Sequence, residues 1–126
     1  TLVIEPLRVQ ESNIINSLSE AARLMKMVDH PRVKLLCDSF HMAFAGETPD
    51  ILLEWAEVIQ HAHFSRVEGR VIPTGELSPF EADYIVKLNS IKCPRVSIES
   101  YSNSFEADSR KAIELIKKIQ MIQKNQ

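Results

Sequence analysis

Four residues combine a chemically useful type with a telling position: Glu5, Asp38, His63 and Glu99. Each stands at the end of a short apolar run, in Leu2–Glu5, Val33–Asp38, Val58–Phe64 and Arg95–Glu99 respectively. One acid at the end of a strand is ordinary, since it opens a solvated loop or caps the next helix. Four such residues in four runs form a set. Three carboxylates and an imidazole gathered in one place repel one another and lose hydration unless a cation sits between them. An oxygen-rich donor set with one nitrogen suits Mn²⁺, Mg²⁺ or Co²⁺ better than the thiolate- or His-rich sets typical of zinc. The spacing predicts a divalent metal site.

For these residues to meet, the runs must be neighbouring parallel strands. Helical patterns separate them: Leu18–Val28, capped by Ser17 or Ser19; a second from Thr48-Pro49-Asp50 with Ile51, Leu52, Trp55 and Ala56 on one face; a third from Ser78-Pro79-Phe80-Glu81 with Ala82, Ile85, Val86 and Leu88; and a last over about Ala107–Gln123 with Ala112, Leu115, Ile116, Ile119 and Ile122. Ser78 to Glu81 has the form of a capping box with Pro at the first helical position. The order β-α-β-α-β-α-β-α, repeating at about 30 residues, predicts four consecutive βα units and an α/β parallel sheet. In such folds the C-terminal strand ends form the active face. Period-two alternation puts Val3 with Glu5, Leu36 with Asp38, Ile59 and His61 with His63, and Ser97 with Glu99 on the inner face. His61 then reads as an interior histidine held by hydrogen bonds. His41, three residues after Asp38, is expected in a loop over the site, in contact with substrate.

Composition bounds the rest. At 126 residues, 44% hydrophobic and 25% charged, the chain has enough apolar content for one packed domain and too much for disorder. No apolar run approaches the roughly 18 residues of a membrane span, and Thr1-Leu2-Val3-Ile4-Glu5 lacks the basic region of a signal peptide. A net charge of −2 gives no field toward nucleic acid, so neither nucleic acid nor membrane is an expected partner. Cys37 and Cys93 form no CxxC or Cys/His zinc spacing, which predicts buried thiols in a reducing, cytoplasmic setting.

The motifs carry a resemblance. Ile4-Glu5-Pro6-Leu7 with Glu11, Cys37-Asp38-Ser39-Phe40-His41-Met42, His61-Ala62-His63 followed by Arg70-Val71-Ile72-Pro73, and Val96-Ser97-Ile98-Glu99 are similar, in order, to the Glu-Pro-Leu, Asp-x-Phe-His-Met, His-x-His with Arg-x-x-Pro, and final-Glu motifs of ketose 3-epimerases of the D-tagatose and D-psicose type. The wider group is the sugar phosphate isomerase/epimerase family, with a xylose-isomerase-like TIM barrel. The resemblance implies that Glu5, Asp38, His63 and Glu99 are metal ligands. It makes Glu5 and Glu99 the acid/base pair and gives Glu11, His41 and Arg70 contact with substrate. The implied reaction is metal-dependent epimerisation or isomerisation next to the carbonyl of a ketose or sugar phosphate, through a cis-enediolate, with Mn²⁺ as the preferred ion.

The loops depart from the family. Arg8-Val9 stands where Asn-Arg is usual, and Phe64-Ser65-Arg66-Val67-Glu68-Gly69 is one residue longer before Arg70, so Arg66 competes with Arg70. The four units match the second half of an eight-unit barrel. Residues 1–126 are thus expected to form the C-terminal half of a TIM (β/α)₈ barrel, completed by an N-terminal half absent here or by a second copy in an oligomer. Two other readings stay open: a metal-dependent endonuclease-like hydrolase on the same barrel, and a non-catalytic fragment.

Overall fold

The structure, a computed structural model, describes residues 1–124. The last two residues of the expected 1–126 unit, and the side chain of Ile122 in the expected final stripe, lie outside the described residues. The elements follow in the order β1 (Leu2–Ile4), α1 (Leu18–Val28), β2 (Val33–Asp38), α2 (Ser39–Phe44), α3 (Ile51–Glu54), β3 (Ile59–Phe64), α4 (Pro79–Ser90), β4 (Val96–Ile98) and α5 (Phe105–Lys124). The four strands make one sheet in sequence order β1-β2-β3-β4, every pairing parallel. This is a partial TIM-barrel fold, as the alternation of strands and helices predicts.

One face of the sheet packs on the helices. Leu35 and Cys37 of β2, Ile59, Ala62 and Phe64 of β3, Leu18, Ala21 and Ala22 of α1, and Tyr84, Ile85 and Leu88 of α4 form a single buried cluster. Leu36 and Asp38 alternate to the other face, which is the inside of the barrel wall. The expected inner position of Ile59 is corrected by a bulge. Leu35 pairs with Ile59 but Leu36 pairs with His61, so Gln60 is an extra residue in β3. The extra residue reverses the alternation upstream of it and turns Ile59 into the helix-side core.

Local chemistry sets the helix ends. Ser17 caps α1 by accepting from the Glu20 amide, and Glu47, from the loop after α2, accepts from the Leu18 amide at 3.0 Å. The capping box on α4 is complete: Ser78 accepts from the Glu81 amide and Glu81 from the Ser78 amide. Two expectations need correction. The helix predicted from Thr48-Pro49 is only the four-residue α3, with no side-chain cap, because the chain turns at Trp55, whose carbonyl accepts from the Val58 and Ile59 amides as β3 begins. The buried stripe of α4 includes Glu81 and Tyr84, while Ala82 and Val86 are only half-buried.

Candidate metal centre

Each of the four strand-end residues reaches the same point from its own strand. Glu5 follows directly on β1 and Glu99 directly on β4, while Asp38 closes β2 and His63 is the penultimate residue of β3. Asp38 pairs in register with His63, and His63 with Ser97. Neighbouring parallel strands lie about 4.8 Å apart, so same-face residues at matched registers are brought together by the sheet itself. One donor atom from each of the four lies within 4.8 Å of all the others. His63 Nδ1 is central, 3.1 Å from Glu5 Oε1, 3.2 Å from Glu99 Oε2 and 3.6 Å from Asp38 Oδ2. Ligands around a Mg²⁺- or Mn²⁺-sized ion with bonds of about 2.1 Å sit about 3.0 Å apart when adjacent and about 4.2 Å apart when opposite. The donor set and its spacing fit such an ion.

The four groups are not equivalent. Asp38 is 1% exposed, and its Oδ1 already accepts from the Phe40 and His41 amides at the start of α2, leaving Oδ2 for the centre. Burial opposes its ionisation most strongly, but the contacts with His63, with His41 and its amide, and with Arg70 together outweigh this and hold its carboxyl below the usual value. Glu5 and Glu99 are 26% and 48% exposed and look onto open space from the two outer strands. The carboxylates of Asp38, then Glu5, push the His63 imidazole up to about 10. It is protonated at neutral pH and supplies positive charge to the cluster.

A second layer surrounds the centre. His41 is not in a loop: it is buried in α2, because Asp38 caps a helix immediately. Its Nδ1 faces the Arg8 main-chain amide at 3.2 Å, and its Nε2 faces Arg70 Nη2 at 3.4 Å. Arg70 carries the positive φ of 50° in the turn after Gly69, and this left-handed backbone turns its side chain inward. Its Nη2 donates to Glu99 and lies 3.4 Å from Asp38 Oδ2. The loops after β3 and β4 are zipped together by the Tyr101 amide to Arg70 carbonyl bond (2.8 Å) and the Ile72 amide to Tyr101 carbonyl bond, which fixes Arg70 beside Glu99. Arg66 is drawn away to the buried Glu81 at 3.0 Å. Glu11 engages Arg8 at 2.6 Å and faces Arg70 at 3.9 Å, reaching the centre through that arginine. His61 hydrogen-bonds Ser97 Oγ at 2.7 Å, one layer deeper, with its pKa lowered by burial and by neighbouring His63.

Arg8, which the sequence singles out only as a departure, lines the site. Its guanidinium lies 4.6 Å from the Phe40 ring centroid and 5.0 Å from that of Phe44. With Glu11, Arg70 and Tyr101 these residues border an open cleft of about 540 Å³ next to the four-residue cluster, within the usual range for small-molecule sites.

The family profile described as xylose isomerase-like TIM barrel matches residues 1–119. The chain belongs to this family. Similar solved structures share the fold of this xylose isomerase-like barrel. One is a D-psicose 3-epimerase with D-tagatose from Clostridium cellulolyticum H10, at 19% identity and a TM-score of 0.81, matching 94% of this chain and 48% of that one. A 3-keto-D-glucoside 4-epimerase from E. coli is 19% identical with a TM-score of 0.78, over 94% and 46% of the two chains. A family 2 AP endonuclease from Brucella melitensis is 23% identical with a TM-score of 0.70, over 82% and 41%. The chain spans about half the length of the first two. No curated protein matches it. Among the described residues no helix is long and apolar enough to cross a membrane.

Proposed function

We propose that this half-barrel, completed by a second half from another segment or another copy of the chain, is a divalent-metal-dependent epimerase or isomerase acting next to the carbonyl of a ketose or sugar phosphate. The observation that carries this is the convergence of Glu5, Asp38, His63 and Glu99 from four successive strand ends. In this reading all four hold the ion, with Mn²⁺ preferred and Mg²⁺ or Co²⁺ as alternatives. When bound, the ion polarises the carbonyl and offsets the negative charge that develops on the substrate's oxygens. Asp38, buried and committed to the cap of α2, serves to hold. Glu5 and Glu99, on opposite outer strands and both partly exposed, serve to move protons. One takes the proton from the carbon next to the carbonyl, giving the cis-enediolate. The other, carrying a proton drawn from solvent, donates that proton to the opposite face and inverts the centre, while the first releases its own to solvent. The Arg70 guanidinium and the His41 imidazole beside it contact sugar oxygens, and Glu11 keeps Arg70 oriented.

The hydrolase alternative rests on the likeness to the Brucella AP endonuclease, which at 23% identity carries the fold alone. The two readings separate in deuterated water. An epimerase incorporates solvent deuterium at the carbon next to the carbonyl of its ketose as the epimer appears. A completed, Mn²⁺-loaded barrel that exchanges none across a panel of ketoses and ketose phosphates is not an epimerase of this kind.

A further inference from the structure

We infer that Tyr84 is a positioning residue whose hydroxyl ties the ends of β2 and β3 together and so sets the distance between Asp38 and His63. The inference rests on the metal-centre reading above. Tyr84 is fully buried on α4 and is not among the residues that border the cleft. Its hydroxyl lies 3.0 Å from the Cys37 carbonyl oxygen, 3.0 Å from the His63 carbonyl oxygen and 3.3 Å from Cys37 Sγ. Cys37 precedes Asp38, and Asp38 is the cross-strand partner of His63. One O–H donor therefore bridges the two backbone segments that carry two of the four converging groups.

Packing alone does not call for this hydroxyl. The ring stacks between Phe64 and Phe80, at centroid distances of 6.1 and 6.5 Å, and a phenylalanine would fill that slot equally well. What the hydroxyl adds is a shared donor for two buried carbonyls. The element bearing Tyr84 is itself anchored close by: three residues earlier, Glu81 accepts from the Val67 amide at 2.8 Å and pairs with Arg66, tying α4 to the loop that leaves β3. Burial keeps the phenol protonated, its pKa pushed well above the usual value, so it remains a donor. Removing it leaves two buried carbonyls without this partner and leaves the two strand ends held by the ladder alone, so that their spacing loosens.

The test is Tyr84→Phe in the complete barrel, read by Mn²⁺ affinity from electron paramagnetic resonance rather than by turnover. Outer partners of metal ligands typically contribute about 10- to 100-fold in affinity, and about tenfold weaker binding is expected here. Leu88→Ala, a core truncation on the same helix that touches neither carbonyl, should lower thermal stability yet leave Mn²⁺ affinity unchanged. Equal affinity in Tyr84→Phe and the unmutated protein overturns the inference, as does a loss of the same size in Leu88→Ala. Should Tyr84→Phe fail to fold, the unmutated protein decides with ¹³Cζ-labelled tyrosine: Mg²⁺ must shift the Tyr84 resonance, and an unmoved resonance overturns the assignment. If the unmutated protein binds no Mn²⁺ at all, the metal centre itself is refuted.

Discussion

Lowering the pH should weaken metal binding more steeply than an ordinary histidine ligand allows. His63 Nδ1 sits among three carboxylate oxygens at 3.1 to 3.6 Å, and in the ion-free protein they raise its pKa to about 10. An incoming cation must displace that proton, because only the neutral imidazole ligates. At pH 7 the gap to 10 is about three units, a competing cost of about 4 kcal/mol. Between pH 8 and pH 6 the affinity should therefore fall about 100-fold, whereas an imidazole of pKa about 6.5 would lose only about fourfold over the same range. Asp38, held below its usual value, adds little there. The sign for the ion-free fold is the reverse. Charged His63 stabilises it fully below about 6.5, and this contribution is lost as the pH rises toward 10. Calorimetric titration with Mn²⁺ at pH 7 in two buffers of different ionisation enthalpy counts the protons, and release of about one per ion is expected. A fourfold pH effect with no proton released would refute the reasoning.

Asp38→Asn should cut Mn²⁺ affinity at least about tenfold. Asn keeps the cap of α2 but loses the charged contacts with His63 and Arg70, so it should also lower the stability of the ion-free fold at pH 7 by about 1–3 kcal/mol; titration and a denaturant melt check the two halves separately. Glu81→Ala removes the capping box and the acceptor for Val67 and Arg66, and should cost about 1–3 kcal/mol in a denaturant melt. Because the folded pKa of Glu81 is lowered, against burial, mainly by the Ser78 and Val67 amides, its contribution is present above about 4.5 and fades as the pH falls below that, which melts at successive pH values will show. The Cys37 thiol, pushed up to about 12 by burial, should resist thiol reagents in the native protein, so that timed labelling modifies the half-buried Cys93 first and Cys37 only on unfolding. Reaction of Cys37 at the rate of Cys93 would show that the β2 end opens freely.

The parts legible in the sequence are those where a residue's type and its element agree. Asp38 and Glu99 close apolar runs, and the parallel register does the rest, so the cluster could be read without coordinates. The Ser78–Glu81 box and Pro79 marked the start of α4 in the same way. What escaped depends on contacts between distant residues. Arg66 and Arg70 look equivalent along the chain, and only the folded position of Glu81, fifteen residues beyond Arg66, separates them. The bulge at Gln60 leaves no mark in a run of alternating residues, yet it reverses Ile59. Helix α2 has one turn and a half, too short for periodicity to reveal, although Asp38 followed by Ser39-Phe40-His41 was a capping signal open to reading. Tyr84 was hidden by its helix, whose aliphatic residues dominate the pattern.

Anomalous diffraction from crystals of the complete barrel grown with Mn²⁺ tests the central claim most directly. A single manganese peak is predicted with Glu5, Asp38, His63 and Glu99 all within about 2.0–2.4 Å of it, and with His63 bound through Nδ1. A manganese ion bound elsewhere, or held by no more than one of the four while His63 stays paired with the carboxylates, would contradict the account.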